Sequence, residues 1–124
     1  MPHLTLEYTN NLNAINADRL LLALNQTLVD SGHFTDMDIK SRAIGLDTWR
    51  VGVSTAQHAF VHVKLAILSG RSPEVKSALS AALLRVLTDS CKGIASHPVQ
   101  LCVEMLDIDR ASYAKEVLNA GSVH

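Results

Sequence analysis

The sequence predicts an α+β fold: two β-α-β units that form one four-stranded sheet with both helices on one face. Three observations carry this. Three segments alternate apolar and polar residues with a period of two, a fourth from about Ile39 to Ala43 reads as extended, and two segments carry apolar residues at i, i+3, i+4 and i+7. Their order is strand, helix, strand, repeated once. The chain has 124 residues, enough for one core but too few for two independently stable ones. The expected organisation is a single domain over 1–124, with units of about 2–55 and 56–108 and a C-terminal tail over 109–124.

The first strand places Leu4, Leu6 and Tyr8 on one face and His3, Thr5 and Glu7 on the other. It ends at an Asn-rich turn. Asn16 is then placed to cap a helix whose apolar stripe is Ala17, Leu20, Leu21, Leu24 and Leu28, with Gly32 as its stop. A turn over Asp36–Asp38 leads to a strand from about Ile39 to Ala43, a kink near Gly45 and a second extended piece through Trp49 and Val51. The strongest strand is Ala59–Leu68, with Val61, Val63, Leu65 and Ile67 on its apolar face. After the Gly70-Arg71 turn, Ser72-Pro73-Glu74 opens a helix: serine accepts an orphan N–H, proline suits the first position and glutamate favours the positive end of the dipole. That helix runs to about Cys91, with Val75, Leu79, Ala82, Leu83 and Val86 inward and Gly93 at its end. A last strand spans Val99–Leu106. The sheet's other face then carries His3, Thr5, Glu7, His62, Lys64, Gln100 and Glu104, and is either wet or packed on another subunit. The tail is expected to reach a neighbouring subunit or fray.

Composition narrows the function. Hydrophobic residues make up 48% and aromatics only 4%, so the core is built from Leu, Val, Ile and Ala. Net charge is −1 without runs of like charge, which gives no nucleic-acid footprint. No apolar stretch approaches the roughly 18 residues of a bilayer span, and no signal peptide is evident, so a cytoplasmic location is expected. The expected partners are a small molecule and further copies of the chain. Cys91 and Cys102 match no metal spacing and read as buried small hydrophobes. His58 and His62 would stand roughly 13 Å apart on a strand, too far to share a metal.

Pro2 is the candidate reactive residue. If Met1 is removed, its nitrogen becomes a secondary amine able to take and return a proton, whereas an internal proline nitrogen is an amide without hydrogen. Arg42, Arg50 and Arg71 lie at the edges of predicted elements, where they could gather around such a base.

The opening MPHLTLEY, the segment Ile39-Lys40-Ser41-Arg42-Ala43, the run Leu46-Asp47-Thr48-Trp49-Arg50, the strand Ala59-Phe60-Val61-His62-Val63 and Gly70-Arg71-Ser72 together carry a resemblance. In order and spacing, over about the first 75 residues, the chain resembles the 5-carboxymethyl-2-hydroxymuconate isomerase family of the tautomerase superfamily, which also holds 4-oxalocrotonate tautomerase and macrophage migration inhibitory factor. The resemblance implies a trimer, Pro2 as general base, and a substrate from homoprotocatechuate catabolism whose carboxylates are held by Arg71, Lys40, Arg42 and Arg50. It implies no metal or organic cofactor. Two departures bear on substrate. Lys40 stands where the family has arginine and cannot make a bidentate carboxylate contact. Ile44-Gly45 replaces a His-Arg pair. Trp49 reads as a core or interface anchor.

Cations near Pro2 would disfavour its charged form and keep it a neutral base near pH 7. The alternative is a non-catalytic, ferredoxin-like module that binds a small ligand or protein, because the same element order serves that fold. In that case Pro2 is incidental.

Overall fold

The computed structural model describes residues 1–121. Over that span the elements are β1 (His3–Thr9), α1 (Ala17–Asp30), a 3₁₀ turn (Asp36–Asp38), β2 (Lys40–Leu46), β3 (Ala59–Leu68), α2 (Pro73–Cys91), β4 (Val99–Ile108) and a second 3₁₀ turn (Arg110–Ser112). Both helices start where local chemistry starts them. The Asn16 side chain accepts from the Arg19 N–H at 3.0 Å, and Ser72 Oγ accepts from the Val75 N–H at 3.2 Å, with Pro73 in the first turn of α2. Each satisfies a donor that the helix itself cannot. Past their ends, Gly32 and Gly93 take φ of 79°, a left-handed turn that glycine makes without a Cβ penalty.

The sheet order is β2-β1-β3-β4. β1 pairs parallel with β2, β3 pairs parallel with β4, and β1 and β3 run antiparallel at the centre. In each unit the two parallel strands are therefore direct neighbours. A split β-α-β unit of the ferredoxin-like kind has another strand between them, so the topology departs from the alternative fold.

One side of the sheet and both helices share one core. Leu4, Leu6, Val61, Val63 and Leu65 are fully buried against Leu24 and Leu28 of α1 and Leu83 and Leu87 of α2. Burial of each such side chain is worth about 1.5–3 kcal/mol relative to exposure, and a single core of this kind puts both helices on the same face. Leu87 belongs to it although the expected α2 stripe stopped at Val86.

Four expectations change. Gly45 is no kink: β2 continues through it to Leu46 and pairs it with Tyr8. A Cβ there would collide with Asn10 Oδ1 and stand 3.2 Å from Tyr8 Oη, so the residue permits a close approach. No second extended piece runs through Trp49 and Val51; residues 47–58 form turns and bends. Cys91 is buried but Cys102 is exposed, because period two puts Cys102 on the open face beside Gln100 and Glu104. The tail turns back on its own chain as far as it bears on the site; residues 122–124 lie outside the described span.

The open face carries the expected polar set. His62 sits between two carboxylates, with Nε2 3.1 Å from Glu104 and Nδ1 3.9 Å from Glu7. No helix among the described residues is long and apolar enough to cross a membrane.

Candidate active site

Pro2 stands directly before β1, a position that needs no ladder donor. The Pro2 carbonyl nevertheless accepts from the Lys40 N–H at 3.1 Å, which ties the start of β1 to the start of β2. The Pro2 side chain is less than 2% exposed. Parallel register then sets His3 beside Lys40 and Thr5 beside Arg42, so two cations of β2, an edge strand, line up alongside β1.

Met1 carries the chain's free amine, and three cations surround it. Partial burial holds the amine below its ordinary value; Lys40, Arg71 and Lys115 push it further down, and Asp38 pulls the other way. The Met1 amine and the Pro2 nitrogen are three bonds apart, so they cannot be separated by more than roughly 3.7 Å. The field felt by one is close to the field felt by the other.

Each cation is held by identifiable contacts. Arg71 stands just before α2; its Nη2 donates to the His33 carbonyl at 3.0 Å and its guanidinium lies 4.9 Å from the Phe34 ring centre. Lys40 Nζ donates to the Asp38 carbonyl at 2.8 Å. Lys115 Nζ donates to Asp38 Oδ1 at 3.1 Å and lies 3.5 Å from Met1 Sδ. Burial, then Lys115, lowers the Lys40 ammonium.

Arg42 reaches the same cluster through His3. Arg42 Nη2 lies 3.1 Å from His3 Nδ1, and His3 Nε2 lies 2.9 Å from Tyr113 Oη. Arginine can only donate, so Nδ1 is the acceptor and the neutral ring carries its proton on Nε2. Burial first, then Arg42 and Lys40, hold His3 below its ordinary value, which agrees with a neutral imidazole.

Four of the five site residues expected from sequence therefore converge: Pro2, Lys40, Arg42 and Arg71. Arg50 does not. It lines a hollow of about 330 Å³ with Val51, Phe60, His62, Gln100 and Cys102. Phe60 belongs at the Thr9 end of β1, roughly 20 Å along the strand from Pro2. Hollow volume alone does not locate the site, since a groove of about 370 Å³ opens between the start of α1 and the end of α2. Charge singles out the Pro2 end as the candidate: three cations face one amine and one carboxylate.

Sequence reasoning missed His3 as a site residue, and also Asp38, Tyr113 and Lys115. Period two could have placed His3 next to Lys40. No local signal marks Lys115, which meets Met1 across 114 positions.

Comparison with known proteins now decides the lineage. The family model described as 5-carboxymethyl-2-hydroxymuconate isomerase matches residues 2–120. The chain belongs to the 5-carboxymethyl-2-hydroxymuconate isomerase family. It is 31% identical over 88 residues to the 5-carboxymethyl-2-hydroxymuconate Delta-isomerase of Escherichia coli, covering 70% of each chain. The crystal structure of a 5-carboxymethyl-2-hydroxymuconate isomerase from Deinococcus radiodurans R1 superposes with a TM-score of 0.86 at 37% identity, covering 93% of this chain and 88% of that one. A fused 4-OT described as a symmetric trimer shares the fold, with a TM-score of 0.64 at 23% identity over 88% and 87% of the two chains. Family membership makes the chain an enzyme.

Proposed function

We propose that the mature chain, freed of Met1, is a trimeric isomerase that moves a proton along a conjugated 2-hydroxymuconate-type dicarboxylate or tricarboxylate, 5-carboxymethyl-2-hydroxymuconate being the substrate that the family relatives suggest. The observation that carries this reading is the cluster of Lys40, Arg71 and Lys115 around the N-terminal amine.

In that field a free Pro2 nitrogen is pushed toward its neutral form, the form that accepts a proton. Its lone pair takes a proton from a dienol O–H or from the carbon next to a carbonyl, leaving a dienolate and a prolinium. The prolinium returns the proton to another carbon of the conjugated chain, so one base on one face serves both steps. The reaction is a net isomerisation that regenerates the amine. Arg71, Lys40 and Arg42 hold the carboxylates and stabilise the developing oxyanion; a single well-placed donor of this kind is worth about 3 kcal/mol.

Arg50, at the far end of the sheet, reaches a substrate at Pro2 only from a neighbouring copy. That requirement, with the trimeric fused 4-OT relative, supports a site shared between subunits. The pathway reading, homoprotocatechuate breakdown, follows from the same substrate class.

The test is turnover of 2-hydroxymuconates, with and without the carboxymethyl branch, by protein whose intact mass shows Met1 absent. Isomerisation that disappears when Met1 is retained is the expected result. Equal activity with Met1 attached would sink the role of Pro2.

A further inference from the structure

Lys115 comes from the tail, yet its ammonium ends at the N-terminus. Two contacts hold the tail there: Tyr113 Oη on His3 Nε2 at 2.9 Å, and Lys115 Nζ on Asp38 Oδ1 at 3.1 Å. The ammonium also lies 3.5 Å from Met1 Sδ. In the processed chain the Met1 atoms that lie against Lys115 are gone, and the ammonium faces the space beside the Pro2 nitrogen.

The charges there do not balance within the protein. Lys40, Arg71 and Lys115 face the terminal amine with Asp38 as the opposing carboxylate, and Arg42 stands one step along the edge on His3. Arg71 is already fixed on the His33 carbonyl and the Phe34 ring. Lys40 uses one of its three donors on a neutral carbonyl. Lys115 instead rests on an exposed carboxylate, a partner that an incoming substrate carboxylate can replace with little loss because exposed pairs are weak.

We propose that Lys115 is a specificity-determining ligand of the Pro2 site, which leaves Asp38 to bind the second carboxylate of the substrate and so favours substrates with two or more carboxylates over those with one. This deepens the reading of Pro2 as the isomerase base and rests on it for the location of the substrate.

The test uses processed protein and two unreactive ligands of equal chain length: muconate, with two carboxylates, and sorbate, with one. Affinities by calorimetry are compared for the parent chain, Lys115→Met, Lys115→Arg and Asp38→Asn. The expected result is a loss of about tenfold in muconate affinity for Lys115→Met, little change for sorbate and partial recovery in Lys115→Arg. Asp38→Asn should bind muconate as well as the parent or better, since a competing carboxylate has gone.

A tail latch without ligand contact predicts something different. Both Lys115→Met and Asp38→Asn break the same pair, so both would change binding in the same direction. The titration of nitrogen-labelled Pro2 adds a second readout. At the Met1 amine, whose place the Pro2 nitrogen takes after processing, burial lowers the pKa first, Lys40, Arg71 and Lys115 lower it further and Asp38 raises it. Lys115→Met should therefore move the amine up and Asp38→Asn should move it down.

Equal losses for muconate and sorbate, or parallel shifts in the two variants, overturn the proposal. Muconate binding that depends on Lys115 in a protein without turnover would uphold the ligand role while refuting the isomerase reading. Absence of muconate binding to the parent chain refutes this inference directly.

Discussion

Both β-α-β units tie their parallel strand pair with a proline carbonyl, set before the first strand in one unit and before the second strand in the other, and put it to different use. Where β1 meets β2, the Pro2 carbonyl accepts from the Lys40 N–H at 3.1 Å; where β3 meets β4, the Pro98 carbonyl accepts from the Ala59 N–H at 3.0 Å. A proline stands at each joint. Around Pro2 are Lys40, Arg71 and Lys115. At the second joint the side-chain donors are neutral: the Trp49 indole N–H and the Asn11 amide both donate to the His58 carbonyl, at 3.3 and 3.0 Å. The strand pairing repeats but the proposed role of Pro2 has no counterpart at Pro98, whose nitrogen is an amide whatever surrounds it.

The largest expected effect breaks that asymmetry at its source. Pro2→Ala in processed protein should reduce kcat by roughly 10²–10⁴-fold, the usual worth of a positioned general base. Pro98→Ala is expected to change stability and to leave kcat alone. Steady-state kinetics on the 2-hydroxymuconate substrates checks both, and a matching loss from the two substitutions would remove the distinction between the joints.

Next in size is the core, where the two units should behave alike. Leu24 of α1 and Leu83 of α2 are both fully buried in the one shared cluster. Truncation of either to alanine should cost about 2–5 kcal/mol in chemical denaturation, from lost transfer energy plus the cavity left behind. A large cost at one position and almost none at the other would show that the helices do not occupy equivalent places.

Most of this architecture was legible because it is periodic. The alternation of Val61, Val63, Leu65 and Ile67 and the helical spacing of Leu20, Leu24 and Leu28 are direct images of the core they enter. The Ser72-Pro73-Glu74 start was equally readable, since a cap acts within one turn. What failed was non-periodic. Gly45 reads as a kink because glycine usually marks one, but its reason is Asn10 and Tyr8 of the neighbouring strand turn. Cys102 reads as buried by residue type, and its exposed position follows from strand register. At the site, the β2 cations were visible as an edge cluster. The tail contribution was not, because Lys115 and Asp38 meet through the fold and share no local pattern.

A smaller comparison sharpens the equivalence of the helix starts. Asn16→Ala and Ser72→Ala each remove one side-chain acceptor from an N–H of the first turn, and each should cost about 1 kcal/mol. Ser72 lies directly after Arg71, so its loss is also expected to weaken substrate binding, whereas loss of Asn16 is not. Denaturation midpoints together with KM separate the two contributions. Equal KM values in both variants would mean that the α2 start does not help to place Arg71.

The least costly change is in pH. Hydrogen bonds from Thr35 Oγ1 at 2.8 Å and from Lys115 Nζ hold the Asp38 carboxyl below its usual value. A carboxyl depressed by folding adds stability above its unfolded value, about 3.9, and that stability is lost as pH falls through the lower folded value. The pair is solvent-exposed and screened, so its protonation should release the tail without melting the sheet. Amide shifts of residues 113–116 are expected to titrate below about pH 4 while those of β1 and β3 stay fixed. Simultaneous movement of tail and sheet would show instead that the tail is part of the cooperative core, and that the chemically distinct end of the molecule is as rigid as its repeated half.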